Sequence, residues 1–239
     1  MTRPFRKILR NHLLIPFTPF YRRFPYKGGA SVKSADARGC IDLEMGFFCN
    51  RIPKSANSTV VSSLAKWRFD REIPSREAKK MFLTPSALSR QEAANIEQLF
   101  RFTFVRNPYT RVLSAYLDKV ERKAERRGED TSFEGFLANL EKGQLHSNAH
   151  WSPQVDLMLL PLNQFDFIGK VENLQQDLEV VRHRLMDTES EPDMVEVRSN
   201  ATNANSKIAR YYTPASAKIV KKLYARDFEL FDYSTELPS

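Results

Sequence analysis

Residues 51–59 read RIPKSANST and place one lysine among four short side chains that can donate hydrogen bonds. They follow the apolar run GFFCN, which is typical of a buried strand. A helix that begins after such a loop exposes unpaired N–H groups and a partial positive charge, and both attract phosphate. Lys54 adds a full charge. The serine and asparagine side chains could equally do no more than cap the helix, so the segment alone leaves both interpretations open.

A second polar segment lies in similar surroundings, FVRNPYTRVLS at 104–114. Arg106 stands where the apolar run FRFTFVR ends, and ligands of open α/β sheets gather at the carboxyl ends of strands. Ser114 follows about two helical turns later, so its hydroxyl could face the same side. A guanidinium with a nearby hydroxyl suits a phosphomonoester. The alternative is an arginine that pairs with a carboxylate and a serine that packs on its helix.

Strand-like and helical segments alternate along the rest of the chain. Apolar and β-branched runs predict strands over 46–51, over 100–106 and at the start of 165–174. Apolar spacing predicts helices over 55–67, from 108 towards 128, over 153–160, up to about 187 and over 214–226. This alternation favours an α/β fold with a central, mostly parallel sheet. We expect a single domain over 36–239.

Basic residues are concentrated at the start of the chain. Residues 1–35 carry eight of the 37 lysines and arginines and no acidic residue, which leaves the remainder neutral and argues against a nucleic-acid-binding protein. This segment is predicted to be a basic N-terminal arm. Its longest apolar run, Leu13-Leu14-Ile15, is too short for a membrane span or a signal peptide. The arm could rest on an anionic membrane, or pack on its own domain or on a second subunit.

Taken together, the two polar segments resemble the nucleotide-binding motifs of sulfotransferases that use 3'-phosphoadenosine 5'-phosphosulfate (PAPS). The first is similar to the 5'-phosphosulfate loop and the second to the 3'-phosphate motif. Three later stretches resemble the carbohydrate sulfotransferase branch that includes the chondroitin and HNK-1 enzymes: HWSP at 150–153, FDFIGKVENL at 165–174 and LYARDFELFDY at 223–233. The resemblance implies a P-loop-like three-layer fold and transfer of a sulfuryl group to a carbohydrate-type hydroxyl.

The resemblance also implies roles for individual residues. Lys54 is expected to approach the 5'-phosphosulfate and to act in catalysis, and Arg106 and Ser114 to hold the 3'-phosphate. Lys207 and Arg210, with Asn203 and Ser206, are expected to close over the nucleotide. The loop residues expected to bind the 5'-phosphosulfate are Arg51, Pro53, Lys54, Ser55, Ala56, Asn57, Ser58 and Thr59. Lysine and backbone N–H groups are expected to suffice without a metal ion.

A base must take the proton of the acceptor hydroxyl. Histidine is the natural candidate because its unperturbed pKa is near neutrality. His150 lies in the HWSP stretch, so we expect it to be catalytic, although its imidazole could instead hold the loop in place. Glu92 and Glu97 are the alternatives, since some sulfotransferases of this kind use glutamate.

The acceptor is expected to be a glycan, a glycolipid or a sugar precursor, and the sequence predicts no oligomeric state. Because the chain differs from the animal enzymes in having no membrane anchor or cysteine pairs, we expect a cytoplasmic protein, with peripheral contact at the inner membrane face.

Two other functional classes stay open. A P-loop kinase is disfavoured because Gly-x4-Gly-Lys-Ser/Thr is absent, and a non-catalytic module would bind membranes or polyanions through the arm.

Overall fold

The computed structural model describes residues 14–123, 131–186 and 204–238. Four strands form one sheet in the order β1-β2-β3-β4: β1 (Gly39–Asp42), β2 (Phe47–Asn50), β3 (Phe100–Val105) and β4 (Phe167–Lys170). The β1 and β2 strands are antiparallel, whereas β2, β3 and β4 are parallel. The α/β fold with a mostly parallel sheet, predicted from the alternating segments, is confirmed.

Helices surround this sheet. The α-helices of the described residues are α1 (Pro19–Arg23), α2 (Val32–Asp36), α3 (Asn57–Phe69), α4 (Ser75–Ala78), α5 (Arg90–Ala94), α6 (Pro108–Tyr116), α7 (Phe133–Asn139), α8 (Leu174–Met186), α9 (Ala204–Tyr211), α10 (Pro214–Leu223) and α11 (Ala225–Leu230). Two π-helical segments, Leu117–Glu121 and Leu140–Gln144, follow α6 and α7. None of the helices in these ranges is both long and apolar enough to cross a membrane.

Apolar side chains cover both faces of the sheet, as expected for buried parallel strands. Phe47 packs with Leu64 of α3 and Val181 of α8 on one face. The next residue, Phe48, points to the opposite face, because successive side chains of a strand alternate. There it packs with Phe20 of α1, and the two rings stack at 5.8 Å. The sheet is therefore the middle of three layers.

The described part of the predicted arm contacts this second face. Ile15, Phe20 and Tyr21 are buried there, and the Tyr21 hydroxyl donates to Asp36 Oδ1. Leu14 and Phe17 stay exposed. Most of the basic side chains of the segment lie in residues 1–13, outside the described residues, or are exposed around α1. The membrane contact expected for this segment stays a prediction.

The prediction of a helix over 153–160 is wrong, because only Val155–Leu157 form a short 3-10 turn there. Long-range hydrogen bonds to side chains fix the segment instead, and the one to Leu159 N takes an N–H group that a helix would use internally. The Asp227 carboxylate accepts from the N–H groups of Gln154 and Val155 at 2.8 and 2.9 Å, and Asn50 Oδ1 accepts from Leu159 N at 2.7 Å. These long-range bonds hold the segment extended over the sheet edge.

Candidate active site

A cavity of about 970 Å³ opens where the parallel strands β2, β3 and β4 end. Three chain segments that precede or begin helices meet there: the loop before α3, the start of α6, and the first residues of α9. Ten of the residues proposed from the sequence line this one cavity: Pro53, Lys54, Ala56, Asn57, Ser58, Thr59, Arg106, Ser114, His150 and Ser206. The parallel sheet brings them together, because it aligns the carboxyl ends of strands that are distant in sequence.

The loop before α3 turns without glycine. Lys54 and Ala56 both have positive φ, at 68° and 51°, which costs a residue with a side chain roughly 1–2 kcal/mol. Between them, the buried Ser55 hydroxyl donates to Gln154 Oε1 at 3.0 Å and anchors the turn. Helix α3 then begins at Asn57, so its unpaired N–H groups lie at the cavity wall. The turn of this loop is therefore made by two left-handed residues and one side-chain anchor.

Lys54 extends into the cavity and its ammonium lies 3.3 Å from Asp118 Oδ2. Burial lowers the pKa of Lys54, and the charge of Asp118 opposes that effect. Asp118 lies in the π-helical segment after α6 and also contacts Lys119 and Arg122, at 2.9 and 2.5 Å. Burial alone would raise the pKa of Asp118, but the contacts with Lys119 and Lys54 outweigh it and lower the pKa to about 2. The carboxylate is therefore ionised, and nothing in the sequence had singled it out.

Arg106 lies at the other side of the loop. Its guanidinium donates to Thr110 Oγ1 at 2.9 Å, to the Lys54 carbonyl at 3.3 Å and to Asn205 Oδ1 at 3.2 Å. The alternative in which Arg106 pairs directly with a carboxylate does not occur among these hydrogen bonds. Burial lowers its pKa, and the charge of Glu172 opposes that effect. Ser114 is buried in α6 and lines the same cavity.

Gln154 connects the two segments that were predicted to bind phosphate, and the sequence did not indicate this role. Its side chain is fully buried. Its Nε2 donates to the Arg106 carbonyl at 2.8 Å, while its Oε1 accepts from Arg106 N at 2.9 Å and from the Ser55 hydroxyl. A single amide thus fixes the strand end that carries Arg106 relative to the loop that carries Lys54. A glutamine in a polar loop gives no sequence signal for such a role.

Arg111 connects the loop before α3 to the HWSP stretch. Its buried guanidinium donates to three carbonyls, those of Pro53 at 3.0 Å, Ser152 at 2.8 Å and Ala149 at 3.2 Å. Burial lowers its pKa, and the charge of Asp227 raises it. The one available sequence signal was an arginine within the otherwise apolar run around Val112 and Leu113. Arg111 positions both the Lys54 loop and the His150 loop.

His150 lies in the cavity wall with one ring nitrogen engaged. Its Nδ1 is 2.7 Å from Asn148 Oδ1, and its backbone N–H donates to the same oxygen at 3.0 Å. Because that atom already accepts one hydrogen bond, Nδ1 carries the ring proton and Nε2 keeps its lone pair. Burial lowers the pKa of His150 to about 3, and nearby cations, Lys119 first among them, add to the effect. The imidazole is therefore neutral, and it becomes a stronger base only where an anion in the cavity offsets the charge of these cations.

The other candidate bases lie elsewhere. Glu92 caps α5 in a reciprocal pair of hydrogen bonds with Ser89, and Glu97 pairs with Arg23 at 2.6 Å. Neither lines the cavity.

Several other proposed binding residues take indirect positions. Arg51 is buried beneath the loop, where it donates to Asn57 Oδ1 and to the Ala37 carbonyl. In α9, Asn205 and Ser206 line the cavity, whereas Lys207 and Arg210 do not. The closure of these two basic residues over a nucleotide stays a prediction, and Asn203 lies outside the described residues.

Lys79 was not foreseen. It lines the cavity and donates to the Ser58 hydroxyl at 3.3 Å. Within the described ranges, no group of three His, Cys, Asp or Glu residues is arranged to hold a metal ion.

The chain is similar in sequence to carbohydrate sulfotransferases of three animals. The chain is 25% identical to carbohydrate sulfotransferase 11 of Rattus norvegicus over 73% of its own length and 59% of that protein. It is 28% identical to carbohydrate sulfotransferase 14 of Danio rerio over 58% of its length and 45% of that protein. It is 31% identical to carbohydrate sulfotransferase 14 of Mus musculus over 34% of its length and 27% of that protein. The chain thus spans at most about three fifths of these relatives. No solved structure is significantly similar to it.

The model of the sulfotransferase family matches residues 40–234. This range includes the cavity, α11 and all four strands, apart from the first residue of β1. The resemblance drawn from the five motifs is therefore confirmed. With a match over most of its length, the chain belongs to the sulfotransferase family.

Proposed function

We propose that this protein transfers a sulfuryl group from PAPS to a hydroxyl group of a carbohydrate-type acceptor. One observation carries the proposal: a single cavity joins an anion-binding helix start with Lys54, a second anion-binding pair in Arg106 and Ser114, and a neutral histidine. The donor set suits PAPS, because it consists of cations, hydroxyls and backbone N–H groups and PAPS is anionic at both its 5' and 3' ends. The names of the relatives support the carbohydrate acceptor.

The residues of the cavity have separate roles in this reaction. PAPS supplies a sulfuryl group bonded to a phosphate that can leave. As the acceptor oxygen bonds to sulfur and the sulfur–oxygen bond to that phosphate breaks, negative charge develops on the phosphate. Lys54 and the first N–H groups of α3 stabilise this charge, as preorganised donors do in acyl and phosphoryl transfer. Arg106 and Ser114 hold the 3'-phosphate and so fix the nucleotide for in-line transfer.

His150 Nε2 takes the proton that the acceptor hydroxyl loses. We expect His150→Ala to lower kcat by roughly 10²–10⁴-fold, the usual range for a general base. His146→Ala is the matched control, because His146 lies in the same loop but is half-exposed, 3.7 Å from Asp156. Sulfuryl transfer from labelled PAPS measures both variants. Full activity of His150→Ala would move the base role to another group.

Nucleotide binding separates this function from its alternatives. We expect the protein to bind adenosine 3',5'-bisphosphate, and Arg106→Ala to weaken that binding by about 10–100-fold through loss of charge-assisted hydrogen bonds. Binding of the 5'-monophosphate, which has no 3'-phosphate, should change much less. Calorimetry measures both ligands. Equal losses would refute the 3'-phosphate assignment, a preference for ATP would favour the kinase, and no nucleotide binding would favour the non-catalytic module.

The proposal also includes the chemical class of the acceptor. Glycans, glycolipids and sugar precursors all present hydroxyl groups that His150 could deprotonate. Incubating each class with labelled PAPS and the protein tests them directly, and transfer to a non-carbohydrate hydroxyl alone would refute a carbohydrate acceptor.

A further inference from the structure

Asp118 is the only acidic residue among the described residues that line the cavity. Five cationic side chains of these residues also line it: Lys54, Lys79, Arg106, Lys119 and Arg122. The side chain of Asp118 is only 16% exposed, and the cation that reaches it from another part of the chain is Lys54, at 3.3 Å. A carboxylate opposes the binding of an anion in the same cavity. The position of Asp118 beside Lys54 therefore needs a functional explanation.

The helix places Asp118 on the same face as two other residues that line the cavity, Ser114 and Arg122. Ser114, Asp118 and Arg122 follow one another at intervals of four residues, which keeps them on one side of a helix. Ser114 lies next to the position expected for the 3'-phosphate, and Asp118 contacts the lysine expected to meet the transferred group. The carboxylate therefore lies near the 5' end of the donor.

We propose that Asp118 is a specificity-determining residue, which makes the site favour a donor whose terminal group carries one negative charge over a donor whose terminal group carries two. This inference rests on the proposed function. A sulfuryl group carries one negative charge, whereas a terminal phosphoryl group carries about 1.5 to 2 at neutral pH. Cations alone would bind the more highly charged group more tightly. The carboxylate beside Lys54 repels the second charge and removes that advantage.

Calorimetry with two nucleotides tests the inference. The probes are PAPS and 3'-phosphoadenosine 5'-diphosphate, its phosphate analogue, measured at a pH about two units above the phosphate pKa of about 6, where the terminal phosphate is doubly charged. We expect the unmodified protein to prefer PAPS. In Asp118→Asn, which keeps the shape of the side chain, the preference should fall by about tenfold, the size expected for one unit charge at several ångströms near a protein surface.

Two further variants control the experiment. Glu121→Gln removes one charge from the same π-helical segment, where Glu121 accepts a hydrogen bond from the Tyr211 hydroxyl and does not line the cavity. It should keep the preference for PAPS, as should Asp118→Glu, which retains the charge. If Glu121→Gln lowers the preference for PAPS as much as Asp118→Asn does, the change is due to net charge and the inference is wrong.

The outcomes for the inference and for the proposed function are distinct. If both nucleotides bind and their affinity ratio is the same in Asp118→Asn as in the unmodified protein, the inference is wrong and the proposed function stands. Tighter binding of the diphosphate than of PAPS by the unmodified protein also overturns it. If no variant binds either nucleotide or adenosine 3',5'-bisphosphate, the proposed function fails and the inference fails with it.

Discussion

Replacing Lys54 with alanine is expected to lower the turnover of sulfuryl transfer by about 10²–10³-fold, the usual cost of removing one preorganised donor from developing charge. The ammonium of Lys54 is the cation that the loop before α3 carries into the cavity. Alanine also occurs at the other left-handed position of this loop, Ala56, so the backbone conformation is accessible to the variant. Transfer of labelled sulfuryl from PAPS measures the loss.

The protein should stay folded in this variant. Asp118 keeps its contacts with Lys119 and Arg122, so no carboxylate is left without a cation. The control is Lys79→Ala, which removes a second lysine from the same cavity, one that bonds the Ser58 hydroxyl from outside the loop. A smaller loss is expected there. Unchanged turnover of Lys54→Ala, with an unchanged melting temperature, would remove Lys54 from the mechanism.

The largest effect on stability is expected at Arg111. Replacing it with methionine, which has a similar length, leaves the carbonyls of Pro53, Ser152 and Ala149 without a donor in a buried place. It also removes the cation that faces the buried Asp227. Breaking a buried charge network from one side typically costs about 3–5 kcal/mol of unfolding free energy. Urea unfolding measures this loss.

The pH dependence of the Arg111 variant has a definite sign. Burial raises the pKa of Asp227 to about 6, and the charge of Arg111 opposes that increase. Removing Arg111 therefore raises the pKa of Asp227 further and destabilises only its ionised form. The loss of stability should be smaller in mild acid, where Asp227 is protonated, than at neutral pH.

A matched arginine controls for the loss of a surface charge. Arg226 is mostly exposed and lies 3.5 Å from Asp156, so Arg226→Met should change stability by less than about 1 kcal/mol. An Arg111→Met variant as stable as the unmodified protein would mean that the three carbonyls find other donors. It would also contradict the role of Arg111 in positioning the two loops.

The parts of the site that could be predicted are local in sequence. Lys54 and Arg106 each follow a strand directly, and their motifs are continuous stretches, so strand order alone brings them to one edge of the sheet. Gln154 and Arg111 could not be identified in this way. Their partners are backbone carbonyls and N–H groups 38 to 58 residues away in sequence, apart from Ser55, which is further still. Backbone groups are present at every position and leave no pattern.

The errors in the fold have a related cause. The segment 153–160 has helical spacing, but the side chain of Asn50, about 110 residues away, accepts from Leu159 N and donates to the Leu157 carbonyl, groups that a helix would pair internally. Strand β1, with the sequence GCID, holds a single β-branched residue and no aromatic one, so it gave no strand signal. It pairs with β2 through a turn in which Asp42 accepts from the N–H groups of Glu44 and Met45. Short strands gain their stability from pairing, and a single sequence does not show the partner.

The glycine-free loop at Lys54 and Ala56 also bears on the entropy of donor binding. Glycine loops are mobile before a phosphate arrives, and ordering them opposes binding because glycine has the most backbone freedom to lose. Residues with a Cβ atom have fewer conformations, and here Ser55 already fixes the turn through Gln154. The strained backbone conformation is already present in the folded protein before a donor binds. The loop is therefore preorganised, and little conformational entropy remains to be lost on binding.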